Sequence, residues 1–488
     1  MNRFTQALYL LAAGSLAAAE LDHTLTAVLK SAGFTGTVGQ SLEKKLGRPL
    51  NPALADLGRL KFFDPSGGLR NDNACAGCHS PAAGFGDSQP MAIGVLNNGV
   101  VGADRSGPRN QRRTPTIVNT TFFPKLMWNG RFFAPSGDPF DSSKGFTFPD
   151  PEGTTRFPAK DPAFYHLLVA QAHIPPTELV EVAGFRGTQG TIDPIFDQFD
   201  DGRGDAVPPP DKDGFRNEAI RAEVLKRLNG NAQYRRLFGF VFPKVASGGP
   251  IDFAMFGQAV AEFEFSMTFA DAPIDRFARG QISAMRDSEK RGALLFFGKA
   301  GCVSCHAVAG QSNEMFSDFD NHNIGIPQVA PAFSRNTGNV VFDGPNQDED
   351  FGLAQITGKD EDRYKFRTSP LRNVALQPAF FHNGAFTRLP DAIRHHLNVA
   401  WSNRYYNPLL GGVAPDLLWR RGPIQPVLAA LDPKIKPVDL DSDEFDDLVT
   451  FVAGGLLDQR ASANGLCAVV PGFVPSGLPV HRFQGCGQ

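Results

Sequence analysis

The most regular apolar pattern in the chain lies between Ile251 and Phe269, where Phe253, Phe256, Val260, Phe263 and Met267 recur every three or four positions. That period places them on one face of a helix, with Pro273 as its stop. The same period predicts a helix over Asn51 to Phe63 through Leu54, Leu57, Leu60 and Phe62, and further helices over Asn217 to Leu228 and Ser288 to Phe297. Leu25 to Lys30 and Leu42 to Leu46 read as short helical pieces. In Leu389 to Asn398, Pro390 suits a first helical turn and Asp391 its positive end. There Leu389, Ile393, His396, Leu397 and Ala400 share one stripe, while His395 lies on the side of Asp391 and Ala392. The stripe predicts that His396 faces the core and that His395 does not. Residues 80–160 are rich in Gly, Pro and Asn, and residues 135–157 and 186–215 read as polar insertions. The acidic run from Asp200 to Asp205 lacks the ligand spacing of a calcium-binding helix-loop-helix and reads as a solvated loop.

Two of the predicted helices lead into the same motif, Cys75-Ala76-Gly77-Cys78-His79 and Cys302-Val303-Ser304-Cys305-His306. Cys-x-x-Cys-His is the attachment signature of a c-type haem: two thiols bond to the porphyrin vinyl groups and the histidine ligates the iron. A thioredoxin-like redox pair does not require the histidine, and a four-thiolate zinc site would leave both histidines idle. The reading is two covalent haems, with Cys75, Cys78 and His79 on the first and Cys302, Cys305 and His306 on the second. Helix followed by haem loop, twice, gives a mainly α fold: two cytochrome c-like haem domains, duplicated, with long loop insertions. The division is expected at residues 20–245 and 246–460. A buried second iron needs a sixth ligand, and His396 is the candidate.

Composition narrows the setting. With 488 residues, 42% of them hydrophobic and 20% charged, the chain suits two or three globular domains. A formal charge of −3 gives no field for nucleic acid or anionic membranes. Phenylalanine is abundant, 42 against 6 Tyr and 3 Trp, and the plain reading is core filling. Residues 1–19 read as a secretory signal, with Arg3, the apolar Ala7 to Ala13, and a small-residue cleavage site through Ala19. No other segment is apolar over the roughly 18 residues that a membrane helix needs. A periplasmic location follows, in keeping with covalent haem attachment. There the two remaining cysteines, Cys467 and Cys486, are expected to form a disulfide that pins the tail 461–488 and stabilises by about 3 kcal/mol.

Several blocks in order resemble the bacterial di-haem cytochrome c peroxidases and their MauG-type relatives, from about Leu54 to Leu457. They include Leu57-Gly58-Arg59-Leu60-Lys61-Phe62-Phe63-Asp64, Arg113-Thr114-Pro115-Thr116, Trp128-Asn129-Gly130-Arg131, Arg291-Gly292, Thr368 to Asn373, and Phe380-Phe381-His382-Asn383-Gly384. The resemblance implies that the first haem is peroxidatic and that the second receives electrons from a small periplasmic donor, a cytochrome c or a cupredoxin. It implies a tryptophan between the haems, here Trp128, and a glutamate over the first iron, here Glu178 in Pro176-Thr177-Glu178-Leu179, with Glu181 as the fallback. As a lone glutamate Glu178 would read as solvated charge, and Trp128 as a core residue. The resemblance also implies a structural calcium held by the Asn110 side chain and the carbonyls of Gln377 and Ala379, and allows a homodimer. Two departures stand out. Gly102 occupies the position where gated peroxidases carry a blocking histidine, so the first haem is expected to be open to hydrogen peroxide. His396 stands where peroxidases place methionine and MauG tyrosine, which lowers the second haem's potential. The leading reading is a peroxidase reducing hydrogen peroxide. The rivals are a MauG-like oxidase acting on a protein partner and a non-catalytic di-haem electron carrier. The carrier would need His166 or His173 to reach the first iron.

Overall fold

The structure is a computed structural model that describes residues 18–190, 194–200, 202, 209–331, 342–418 and 420–487. Most of the expected signal peptide and most of the acidic run 200–205 lie outside the described residues. The fold is mainly helical, with three two-stranded sheets among the described residues.

The first helix, α1, spans residues 18–31, longer than the piece expected at Leu25 to Lys30. Helix α2, Pro52–Phe63, begins where the Asn51 side chain accepts hydrogen bonds from the Ala53 and Leu54 amides, with Pro52 in the first turn. Its apolar face packs against a helix whose start is capped by Asp252, Phe253–Ser266. Between them lie α3, Asn217–Gly230, and a second helix absent from the sequence expectations, Ala232–Val241. We number this last one α4 and Phe253–Ser266 α5. The α2–α5 crossing is close: a Cβ on Gly58 would lie 1.8 Å from the Ala259 carbonyl oxygen. In the second half, α6, Asp287–Phe297, crosses a late helix, Ser442–Thr450, in the same way, and a Cβ on Gly292 would lie 2.0 Å from the Asp447 carbonyl oxygen. The helix carrying both neighbouring histidines, Leu389–Leu397, precedes it in the chain and is α7; Ser442–Thr450 is α8. Helix, haem loop, then a later helix crossing back over the first is thus built twice.

Helix α5 lies beyond the boundary expected at 245/246, and Phe256, Ala259, Val260 and Phe263 pack into one core with Leu57, Phe62 and Phe63 of α2. Pro273 does not stop that helix; it opens the next one, Pro273–Ala278.

The terminal segments cross over. Leu25, Leu29 and Phe34 pack with Phe277, Phe296 and Phe451 of the second domain. Cys467 and Cys486 are bonded to each other, and their tail packs Leu466, Val474 and Phe483 into the first domain's core. Arg482–Phe483 pairs in parallel with Val100–Val101, and the Phe483 ring meets Phe63 with centroids 5.5 Å apart. The loop-rich stretch 80–160 has a core of its own: Phe122, Phe132, Phe146, Phe148, Phe157 and Phe164 fill it, with centroids 4.6 Å apart for Phe132 and Phe148. Phenylalanines fill the other cores as well, so their abundance serves packing. No helix among the described residues is long and apolar enough to cross a membrane.

Because backbone, not a flexible side chain, opposes a Cβ at Gly58, Gly58→Ala is expected to destabilise the haem-loaded protein by at least ~1–3 kcal/mol in denaturant unfolding. Gly230→Ala, with nothing within 4 Å of its new methyl, is the control and should leave stability within ~1 kcal/mol.

Candidate haem centres and the residues between them

The first attachment loop is held from behind. The Asn73 side chain donates to the Glu181 carbonyl at 2.7 Å and accepts from Arg105 at 3.0 Å. Cys75–Cys78 then makes one helical turn against a cavity of about 380 Å³ lined by Cys75, Cys78 and His79. His79 Nδ1 donates to the Phe85 carbonyl at 3.1 Å, which leaves Nε2 unprotonated and available to a metal. Burial pulls the His79 pKa down to about 4, so the ring is neutral at pH 7. The second loop repeats this. His306 Nδ1 donates to the Phe316 carbonyl at 2.9 Å. Burial and the neighbouring His396 lower its pKa to about 4, and a cavity of about 420 Å³ opens beside Cys302, Cys305 and His306. Two thiols, one neutral imidazole with a free nitrogen and a mostly apolar cavity fit a haem c at each loop.

Across the second cavity, α7 presents His396. Its Nδ1 donates to the Ala392 carbonyl at 2.8 Å, and its ring centroid lies 6.1 Å from that of His306. That gap accommodates one metal ion bonded by both imidazoles at the usual ~2 Å. His395 departs from expectation: it is fully buried. Its Nε2 donates to the Ile324 carbonyl at 2.9 Å, its Nδ1 meets Ser402 Oγ at 3.0 Å, and its ring lies against Phe381 and Phe386. Packing covers both flanks of α7, where the helical stripe alone allowed for one.

The first cavity is lined differently. Among the described residues its lining contains His79 as the sole histidine, together with Glu178, Glu181, Glu264 and Arg131. His166 Nε2 donates to the Thr121 carbonyl. His173 Nδ1 donates to the Val169 carbonyl, with its ring among Phe157, Phe164 and Phe253. Both serve packing. A tight turn in which the Glu178 carbonyl accepts from Glu181, Val182 and Ala183 brings Glu178 and Glu181 to one cavity. Burial, then the Glu178 charge, pushes the Glu181 pKa up to about 7, against the pull of Arg131. Glu264, on α5, was not singled out from the sequence. Burial raises its pKa to about 8, and only the Thr120 hydroxyl, 3.1 Å away, opposes that. A carboxylate between Phe263 and Phe265 on an apolar helix face was the available signal.

Trp128 lines both cavities. Its indole N–H donates to the Arg113 carbonyl at 2.8 Å, and the Arg367 amide donates to its own carbonyl at 2.7 Å. Gly102 lies away from the first cavity's lining. Its loop is tied by Gln89 to the Gly102 carbonyl at 2.8 Å and by the Gln484 amide to the Val101 carbonyl at 2.8 Å.

The three residues expected around calcium line different cavities. Asn110 lines the first cavity, with its Oδ1 buried and unpartnered, whereas Gln377 and Ala379 line the second. The Ala379 carbonyl accepts from Arg113 Nη1, and the Gln377 side chain from Arg113 Nη2.

Residues 52–283 match the sequence profile of the di-haem cytochrome c peroxidase family. The chain is 26% identical over 359 residues to the methylamine utilization protein MauG of Methylorubrum extorquens, covering 73% of this chain and 72% of that protein. It is 24% identical over 347 residues to the cytochrome c551 peroxidase of Pseudomonas aeruginosa, covering 71% and 72%. Among solved structures, a MauG-like protein associated with microbial copper homeostasis superposes with a TM-score of 0.53 at 22% identity, over 85% of this chain and 91% of that one. The diheme peroxidase BthA from Burkholderia thailandensis superposes with a TM-score of 0.51 at 18% identity, over 89% and 91%. Two attachment loops on a duplicated helix crossing accompany this profile match over residues 52–283 and these relatives, and in them the chain resembles the di-haem cytochrome c peroxidases and MauG proteins.

Proposed function

We propose that the protein is a periplasmic di-haem peroxidase that reduces hydrogen peroxide to water, with electrons entering from a small redox protein at the second haem and passing to the first. The observation that carries this reading is the contrast between the cavities. The second is bracketed by His306 and His396, whereas the first pairs one histidine with the carboxyls Glu178 and Glu181. Haem c, held by Cys75, Cys78 and His79 at the first centre and by Cys302, Cys305 and His306 at the second, would supply one-electron redox chemistry at both.

The chain's own residues then have distinct tasks. Hydrogen peroxide takes two electrons and two protons and leaves as two waters, so the first cavity needs a group that accepts and returns a proton. Glu181, with a pKa near 7, is suited to both steps at neutral pH, and Glu178 tunes it through its charge. His79 is held in the tautomer that offers Nε2 by the Phe85 carbonyl. Trp128, fixed at its N–H and its carbonyl, offers an aromatic path between the cavities. His396 gives the second centre two imidazole ligands, which favours the ferric state relative to a methionine ligand and points to a low-potential donor.

The fully oxidised haem-loaded protein, mixed rapidly with hydrogen peroxide, is expected to lose a high-spin ferric EPR signal promptly. Inertness both when oxidised and after addition of one electron would leave only the electron-carrier reading. The rate should rise with pH through about 7, as the Glu181 carboxyl loses its proton and becomes able to accept one. Glu181→Gln should slow the step by roughly a hundredfold or more and flatten that rise. Glu178→Gln removes the charge that raises the Glu181 pKa, so it should shift the inflection to lower pH. A third check is potentiometric: His396→Met should raise the midpoint potential of the second haem and leave the first unchanged.

A further inference from the structure

Arg113 is almost wholly buried, 3% exposed, in the wall shared by the two cavities. Its polar groups bind partners on both sides of that wall. Its amide donates to the His382 carbonyl at 2.8 Å, and its carbonyl accepts the Trp128 indole N–H at 2.8 Å. Its guanidinium donates to the Ala379 carbonyl, to the Gln377 side-chain oxygen at 3.0 Å, and to the Asp87 carbonyl at 3.1 Å. Asp87 belongs to the first domain's loop, and Gln377 and Ala379 to the second domain. The three acceptors are uncharged carbonyl-type oxygens, the ligand type a hard cation takes between domains.

We infer that the Arg113 guanidinium is the cation that joins the two haem domains, standing in for a bound calcium ion, and that it thereby positions Trp128 between the cavities. Three arguments converge on it. Calcium needs six to eight oxygens at about 2.3–2.6 Å, and one of the oxygens expected to serve, the Ala379 carbonyl, is already bonded to a group that only donates. Asn110, the expected side-chain ligand, lines the first cavity, and its Oδ1 is bonded to none of these groups. A second buried guanidinium, Arg367, lines the same wall and donates to the Met127 carbonyl at 3.0 Å, so a dication added here would meet two fixed positive charges. The one carboxylate acting on Arg113 is Asp87, whose oxygens are held by the Thr114 and Gln89 amides at 3.0 and 2.9 Å. Burial lowers the Arg113 pKa to about 10, which still leaves it charged at pH 7.

The assignment of the cation is independent of the proposed activity; only the consequence for electron transfer rests on that reading. The test uses the full haem-loaded protein, purified without chelator. Elemental analysis is expected to find well under one calcium per chain, and neither EDTA nor millimolar calcium chloride should move the Tm. Stoichiometric calcium, or a Tm that falls with EDTA and returns with calcium, overturns the inference. Arg113→Asn removes the guanidinium and supplies an oxygen, and its Tm should fall by several degrees and become calcium-responsive. Arg113→Lys keeps the charge but not the fork, and should fall less and stay calcium-indifferent. If either variant fails to fold, the calcium content and EDTA response of the unaltered protein decide the question. For the positioning role, electron transfer from second to first haem after flash reduction should slow at least tenfold in Arg113→Asn, with both midpoint potentials unchanged. An unchanged rate in a folded, calcium-free variant would remove Trp128 positioning and leave the peroxidase reading intact.

Discussion

Each haem domain depends on one close contact between backbones. Helix α2 meets α5 at Gly58 and α6 meets α8 at Gly292, at separations that leave no room for a side chain. Each crossing fixes the direction in which the chain leaves the first helix and enters its Cys-x-x-Cys-His loop. It therefore fixes where the histidine points. With His79 and His306 each donating Nδ1 to a loop carbonyl, the other nitrogen faces the cavity without any further adjustment. A glycine in a helix interior costs roughly 0.5–1 kcal/mol against alanine. Here it is repaid by apolar burial across the whole crossing.

Between these two rigid units the wall is unusually polar for a buried region. Arg113 and Arg367 carry positive charge into it, and burial lowers both pKa values to about 10. Carbonyl oxygens from both domains satisfy them, so the polar contacts hold domains together that share little else at this point. Trp128 is fixed by backbone partners on these same two arginines. Trp128 and the domain junction are therefore one structural feature, and a change in one is felt by the other.

The two halves have the same scaffold but opposite surroundings at the metal. The second cavity closes over a pair of neutral imidazoles, while the first is rimmed by carboxyls whose pKa values are pushed to about 7 and 8. The same low-dielectric setting produces both results, because burial disfavours the charged form of a histidine and of a glutamate alike. The exchanged termini add a second tie between the halves. The N-terminal segment seals the second core, and the disulfide-closed tail seals the first.

Local pattern was enough to locate the haem loops, the helices Pro52–Phe63, Phe253–Ser266 and Asp287–Phe297, and the stripe that brings His396 to a cavity. These are short-range properties: attachment needs two thiols and a histidine within five residues, and an amphipathic helix declares its own period. What depended on distant chain segments was not readable. Helix α5 joined the core built on α2 because packing there buries its phenylalanines. His395 proved buried because segments near Ile324 and Ser402 cover its flank. Arg113 proved bonded to the Ala379 carbonyl and the Gln377 side chain, and its reach across the junction is a matter of three-dimensional position. The sequence by itself determined the cofactors' anchors, since covalent chemistry is local. The tertiary structure decided which carboxyls line the first cavity and which arginines reach the wall between the cavities, since each depends on which remote oxygens and charges burial brings within a few ångströms.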